Sequence, residues 1–255
     1  MHRIDHITIA IVVSWGAVTA VAGCQPAPAV PPSSVADAVD AEAFLDPLVT
    51  DAAHYALEFE NEYVRVLREK LPTGAEGAMH SHRDRVSVYL NDGDVTIMPR
   101  GGEPVEAALV ANSTSWGAAT THGAVTRSDL ENLSIELTDR GGGEVPAPEP
   151  DAVVVDAEHH VVDFENERVR VVRMTYPAGF TTPLHAHRAG FGVFLTDALG
   201  QNILEEGEPV PIQAAARSTF WTTGQPVHVT ENLGETDLVV VLVEVKRGPS
   251  TAVMP

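Results

Sequence analysis

Two pairs of histidines set the chemical question. His80 and His82 stand one residue apart in "MHSHRDRVSVYL", and His185 and His187 do the same in "LHAHRAGFGVFL". Side chains at i and i+2 of a strand point to one face, so each pair offers two imidazoles to the same space. A third imidazole from a later strand would complete a three-nitrogen face, and His228 in "PVHVTEN" is the candidate in the second half. Three neutral imidazoles leave coordination positions open for water, dioxygen or substrate, which a catalytic metal needs and a structural one does not. In the first half the third residue has two solutions. Aligning "AVTRSD" with "HVTEN" sets Ala124 opposite His228, whereas His122 takes that role if the following hairpin is two residues shorter. Positions 122 and 124 share a face of any strand, so both stay open.

The pairs recur because the chain is duplicated. "DAAHYALEFENEYVRV" from Asp51 and "DAEHHVVDFENERVRV" from Asp156 match at an offset of 156 − 51 = 105 residues. The same offset links Pro72 to Pro177, Gly74 to Gly179, both histidines of each pair, and Trp116 to Trp221. An ungapped register of that length means two copies of one folded unit. Within each copy the chain reads as short Val-rich runs, "YVRVLR", "VSVYL" and "LSIEL" or "RVRVVRMTY", "FGVFL" and "DLVVVLVEV", bounded by Gly, Pro, Asn and Asp. That pattern predicts an all-β architecture, two tandem small β-barrels or sandwiches. The expected domains are a barrel over residues 51–138, a linker over 139–155 and a second barrel over 156–247, with a tail at 248–255.

Gly74, five residues, His80, one residue, His82 resembles the first motif of the cupin superfamily, and Gly179, His185 and His187 repeat it. His228 with Asn232 four residues later resembles the end of the second cupin motif. The resemblance spans about Asp51 to Arg247 and implies a bicupin of two jelly-roll barrels. It also implies a divalent transition metal, one of Fe, Mn, Ni, Cu or Zn, at His185, His187 and His228 and at His80, His82 and His122. The family's glutamate ligand is missing: Val86 or Ser87 stands there in the first copy and Phe191 or Gly192 in the second. Such a pocket resembles both the three-histidine cupins, among them some dioxygenases, and cupins that have lost their metal. An enzyme (oxygenase, isomerase or lyase) and a non-catalytic small-ligand binder or sensor are therefore both consistent with the motifs, and no catalytic acid or base is identified.

Other residues read more plainly. His54 and His159 precede "FEN" in both copies, where a hydrogen-bonding structural role is expected. Arg83 and Arg188 alternate away from the paired histidines, which suggests an outer or rim position. Trp116, Trp221, Tyr89 and Phe194 fall in apolar strand patterns and read as core.

The chain ends frame these barrels. The first residues, "MHRIDHITIAIVVSWGAVTAVAGC", combine Arg3, an apolar stretch and small residues before Cys24, the outline of a signal peptide over 1–23. "VAGC" resembles the lipobox of bacterial lipoproteins, which implies lipidation of Cys24 and attachment to the cell envelope. Gln25 after it resembles lipoproteins sorted to the outer membrane, facing the periplasm. Residues 24–50, rich in Pro, Ala and Ser, read as a disordered tether. Sixteen basic against 36 acidic side chains give a formal net charge of −20, which disfavours nucleic acid as a partner. Cys24 is the single cysteine, so disulfides within the chain are excluded.

Overall fold

The computed structural model describes residues 43–138, 143–224 and 226–248. The expected signal peptide, Cys24, most of the tether and the end of the tail lie outside the described residues. No helix among the described residues is long and apolar enough to cross a membrane.

The Val-rich runs form strands, and nearly every strand of the first copy has its counterpart in the second. The first copy contains β1 (Tyr55–Glu60), β2 (Val64–Leu71), β3 (Glu76–His82), β4 (Arg85–Tyr89), β5 (Gly93–Pro99), β6 (Val105–Leu109), β7 (Thr114–Gly117), β8 (Thr120–Thr126) and β9 (Leu130–Leu137). The second contains β10 (His160–Glu165), β11 (Val169–Tyr176), β12 (Ala189–Phe194), β13 (Ala198–Leu204), β14 (Val210–Ala214), β15 (Thr219–Thr223), β16 (His228–Asn232) and β17 (Leu238–Val245). Each copy folds as two antiparallel sheets. The first has a five-stranded sheet in the order β1-β2-β9-β4-β7 and a four-stranded sheet, β3-β8-β5-β6. The second has β10-β11-β17-β12-β15 and a three-stranded sheet, β14-β13-β16. The all-β expectation therefore holds, as two tandem double-sheet units. The sheets do not close into continuous barrels.

Alternation along the strands of the five-stranded sheets decides what faces where. In β4, Val86 and Val88 point one way and Arg85, Ser87 and Tyr89 the other; in β9, Leu133, Ile135 and Leu137 oppose Asn132, Ser134 and Glu136. The first set joins Val169, Val171, Phe191, Val193, Val241, Val243 and Val245 of the second copy in one apolar core, almost all of it fully buried. Phe59 packs on Phe191 at 5.6 Å and stacks on Trp221 at 5.9 Å between ring centroids, across the two copies. The opposite faces line a pocket inside each copy. Both faces of these sheets are thus covered, which explains why the strands read as nearly continuous apolar runs.

The folded unit begins earlier than the sequence pattern suggests. Residues 43–50, assigned to the tether, belong to the compact body: Pro47–Thr50 forms a short helix, α1, and Ala152–Val155 forms its counterpart, α2, 105 residues on. Asp46 and Asp151 cap them by accepting from the backbone N–H groups of Leu48 and Val153. The same carboxylates bind Arg65 and Arg170 at 2.8 and 2.7 Å. Ser81, between the two histidines of its pair, donates its backbone N–H to Leu45 O at 2.7 Å, so this entry segment braces the histidine strand.

Candidate metal centres

The first histidine pair lies on β3, with both rings buried, and His80 pairs across the sheet with His122 on β8. Thr126 and Asn232 mark the same register against β5 and β13, where they pair with Val95 and Gly200. His122 and His228 therefore correspond at an offset of 106, and the hairpin that follows is two residues shorter in the first copy: three residues separate Thr126 from Leu130, against five between Asn232 and Leu238. Of the two alignments left open by sequence, the structure adopts the one with His122. Ala124 is buried on the same strand and also lines the pocket.

In the second copy the paired histidines do not sit on a regular strand. His185 forms an isolated bridge to His228, with reciprocal backbone hydrogen bonds of 2.9 and 2.8 Å, and Thr181 bridges Glu231. Pro183, which stands where the first copy has Ala78, lacks the N–H that a ladder needs. Bridges on either side still aim both imidazoles inward.

Hydrogen bonds fix which ring nitrogen faces the interior. His80 Nδ1–H donates to Ala78 O at 2.7 Å, His185 Nδ1–H to Pro183 O at 2.9 Å, and His228 Nδ1–H to Pro226 O at 2.9 Å. Each ring is thereby held with Nε2, not Nδ1, turned towards the cluster. In the first copy the nitrogens of His80, His82 and His122 lie within 4.8 Å of one another. In the second, the set within 4.8 Å is His160, His185 and His187. The ring of His228 lies beside that set, its centroid 4.4 Å from His185 and 5.8 Å from His187. The second cluster thus holds four imidazoles, one more than the sequence reading named.

His160 was the missed residue, and its counterpart in the first copy is Tyr55. Tyr55 Oη–H donates to His80 Nε2 at 3.0 Å. His160 instead joins the cluster and accepts from Tyr176 Oη at 2.8 Å, while Leu71 holds the position of Tyr176 in the first copy. His185 Nε2 is buried and has no hydrogen-bond partner. An orphaned imidazole nitrogen costs free energy in a protein interior, and an ion among neutral imidazoles is the partner that removes the cost. The donor set of the second copy fits a divalent transition metal on that ground.

Two buried carboxylates also escaped the sequence reading. Glu136 in β9 and Glu244 in β17 are fully buried. His82 Nδ1–H donates to Glu136 Oε1 at 2.7 Å, and His187 Nδ1 lies 3.4 Å from Glu244 Oε1. The missing motif glutamate is not restored as a ligand, but each copy gains an acidic group behind the second histidine of its pair, the usual way to orient a ligating imidazole. Their surroundings differ. Arg170 Nε donates to Glu244 Oε2 at 2.6 Å, whereas the nearest nitrogen of Arg65 is 3.9 Å from Glu136 because that guanidinium is turned to Asp46. Burial pushes Glu136 up from the ordinary carboxylate range. Burial opposes the charge of Glu244 as well, but His187 and Arg170 beside it hold its pKa at about 2. Burial also drives the histidines down, His122 and His185 to about 3 and His160 and His228 to about 4, so these imidazoles are neutral at pH 7 and available as ligands.

The remaining candidates fall outside the clusters. His54 and His159 sit in the turns before β1 and β10 and hydrogen-bond to Asp51 and Asp156 at 2.7 and 2.8 Å. Arg83 lies over the Phe44 ring at 5.6 Å. Arg188 is not at a rim: it is buried, with a guanidinium nitrogen 3.6 Å from Glu244 Oε2. Each cluster opens into a pocket of similar size, about 460 Å³ in the first copy and about 430 Å³ in the second, counted out to the solvent at the mouth.

No family model and no curated protein matches the sequence. Solved structures do. The fold is similar to that of AerE from Microcystis aeruginosa, with a TM-score of 0.53 and 14% identity over 75% of this chain and 92% of that one. It is similar to the oxalate decarboxylase of Lactobacillus farciminis, solved as a formate complex, with a TM-score of 0.50 and 12% identity over 77% and 81% of the two chains. An oxalate decarboxylase variant from Bacillus subtilis matches with a TM-score of 0.50 and 12% identity over 74% and 71%. This chain has the two-domain cupin fold.

Proposed function

We propose that this protein is a metal-binding bicupin that takes a small molecule at its second histidine cluster and acts on it as an oxygenase, isomerase or lyase. The observation that carries this reading is the buried, unpartnered Nε2 of His185, set among three further imidazoles. The ligands would come from His185, His187 and His228, with Glu244 beside His187 and with His160 as a fourth whose Nε2 is capped by Tyr176 Oη. A divalent ion held there supplies Lewis-acid or one-electron chemistry. The chain's own part is to keep His160, His185 and His228 neutral with their Nδ1 atoms engaged, and to enclose the substrate in a partly desolvated pocket. The same ligand chemistry is proposed for His80, His82 and His122, with Tyr55 capping one ligand atom. Similarity in fold to oxalate decarboxylases supports a bicupin enzyme and leaves the substrate open.

The test is elemental analysis of protein purified without chelator or a histidine tag. One to two equivalents of Fe, Mn, Ni, Cu or Zn per chain are expected, with one equivalent lost in His187→Ala and none in His159→Ala. Equal metal in wild type and His187→Ala would overturn the assignment.

A second reading, a ligand binder or sensor without turnover, is favoured for the first copy by the Tyr55 hydroxyl already bonded to His80 Nε2. We also propose attachment to the cell envelope through lipidated Cys24, supported by the "VAGC" sequence. Cys24→Ser should abolish lipid labelling, and unchanged labelling would exclude it.

A further inference from the structure

The two pockets are alike in size, and both mix polar with apolar walls, but the second is the more apolar. The first is walled by Glu69, Arg85, Ser87, Tyr89, Asn132 and Ser134 around its histidines. The pocket of the second copy carries Met174 at the position of Glu69, Val240 at that of Asn132 and Leu242 at that of Ser134. Tyr89 becomes Phe194, so even the hydroxyl that bonds to Ser115 at 3.0 Å has no counterpart. These replacements run through three strands and change the chemistry of the wall without changing the fold.

The exchange at Phe220 shows a cavity shaped around an aromatic wall. Phe220 stands where the first copy has Ser115, and its ring packs on Phe194 at 5.1 Å. It lies across β12 over Gly192, where a methyl group would collide with the ring. The first copy has Ser87 at that position. A large ring and the glycine that accommodates it therefore occur together, which is the pairing a shaped apolar wall requires. The ring leaves the cavity open, bounded by Phe194, Ile212 and Phe220 and floored by His187 and His228.

We infer that the second copy's pocket is the site of a neutral, largely apolar small molecule, aromatic or branched, whose polar end faces His187 and His228, and that the polar pocket of the first copy does not accept it. The inference deepens the reading of the second cluster as a small-molecule site. Burial of apolar ligand surface against this wall supplies the affinity, and the imidazole floor sets orientation.

N-phenyl-1-naphthylamine, an uncharged dye that brightens in apolar surroundings, tests this on the full chain with no metal added. One equivalent per chain should bind. Phe220→Ser and Ile212→Gln, on different strands, should each weaken binding at least tenfold while circular dichroism stays unchanged. Ile212 is half-buried on the outer strand β14, so its variant remains informative if Phe220→Ser fails to fold. No bound dye, or affinity unchanged in the folded variants, would overturn the inference. Metal content is read separately, so dye binding without metal would sink the metal reading alone, and metal without dye binding would sink this one alone.

Discussion

Tyr55 Oη lies 3.0 Å from His80 Nε2, so in the first copy a phenol occupies the nitrogen that an ion would need. At the same position 105 residues on, His160 adds a nitrogen to the cluster, and the phenol has moved to Tyr176 on the neighbouring strand. Two replacements, Tyr55 by His160 and Leu71 by Tyr176, move the phenol from His80 Nε2 to His160 Nε2 and leave His185 Nε2 unpartnered in a four-imidazole cluster.

Removing the cap should strengthen the first site. Tyr55→Phe frees His80 Nε2, and a net hydrogen bond of about 1 kcal/mol corresponds to roughly fivefold tighter metal binding there. Chelator-competition titration with Zn²⁺, in a His187→Ala background that disables the second site, measures it. Affinity that stays level or falls would show that Tyr55 helps to hold the ion rather than competing with it.

Glu244 ties the second cluster to the pH dependence of stability. Its folded pKa of about 2 lies below the unfolded value of 4.5, so its stabilisation is complete above pH 4.5 and is lost as pH falls towards 2. A shift of that size corresponds to about 3 kcal/mol. In the metal-free protein the histidines act in the same direction from a higher pH. With folded values of about 3 to 4 against 6.5, the unfolded chain takes up protons first, and stability falls once pH drops below 6.5. Urea unfolding from pH 7 to 3 should show a decline beginning near 6.5 that steepens below 4.5. Glu244→Gln should remove the steeper limb and lower stability at pH 7 by about 3 kcal/mol. An identical slope in the variant would contradict the ion pair with Arg170.

What sequence could and could not reveal follows from how these residues are distributed. The paired histidines and His228 sit in short motifs, and the 105-residue register makes the duplication plain. His160 is invisible to that comparison because its counterpart is Tyr55, so a search for repeated residues discards it. The acidic residue in "LSIEL" and again in "VLVEV" was the available signal for Glu136 and Glu244: a charge recurring within an otherwise apolar strand needs a buried partner. The third histidine of the first copy depended on a hairpin length, which only the strand register decides. Asp46 and Asp151 share the same offset, but an aspartate before four residues of short helix carries too little periodicity to mark a domain start.

The shared core between the copies makes them one cooperative body. Phe191 is fully buried among valines of both copies and packs on Phe59 across them. Phe191→Ala removes most of an aromatic side chain from that core and should cost about 3 to 5 kcal/mol. Because the cavity is walled by both copies, the loss should fall on both together. Denaturant unfolding, followed by tryptophan fluorescence in a Trp116→Phe background to favour Trp221 and by circular dichroism for all strands, should give one coincident transition in wild type and one at lower denaturant in the variant. Two separated transitions in wild type would mean that each copy is stable alone and that the interface adds little. A variant in which only the second copy melts early would place the weight of Phe191 within its own half.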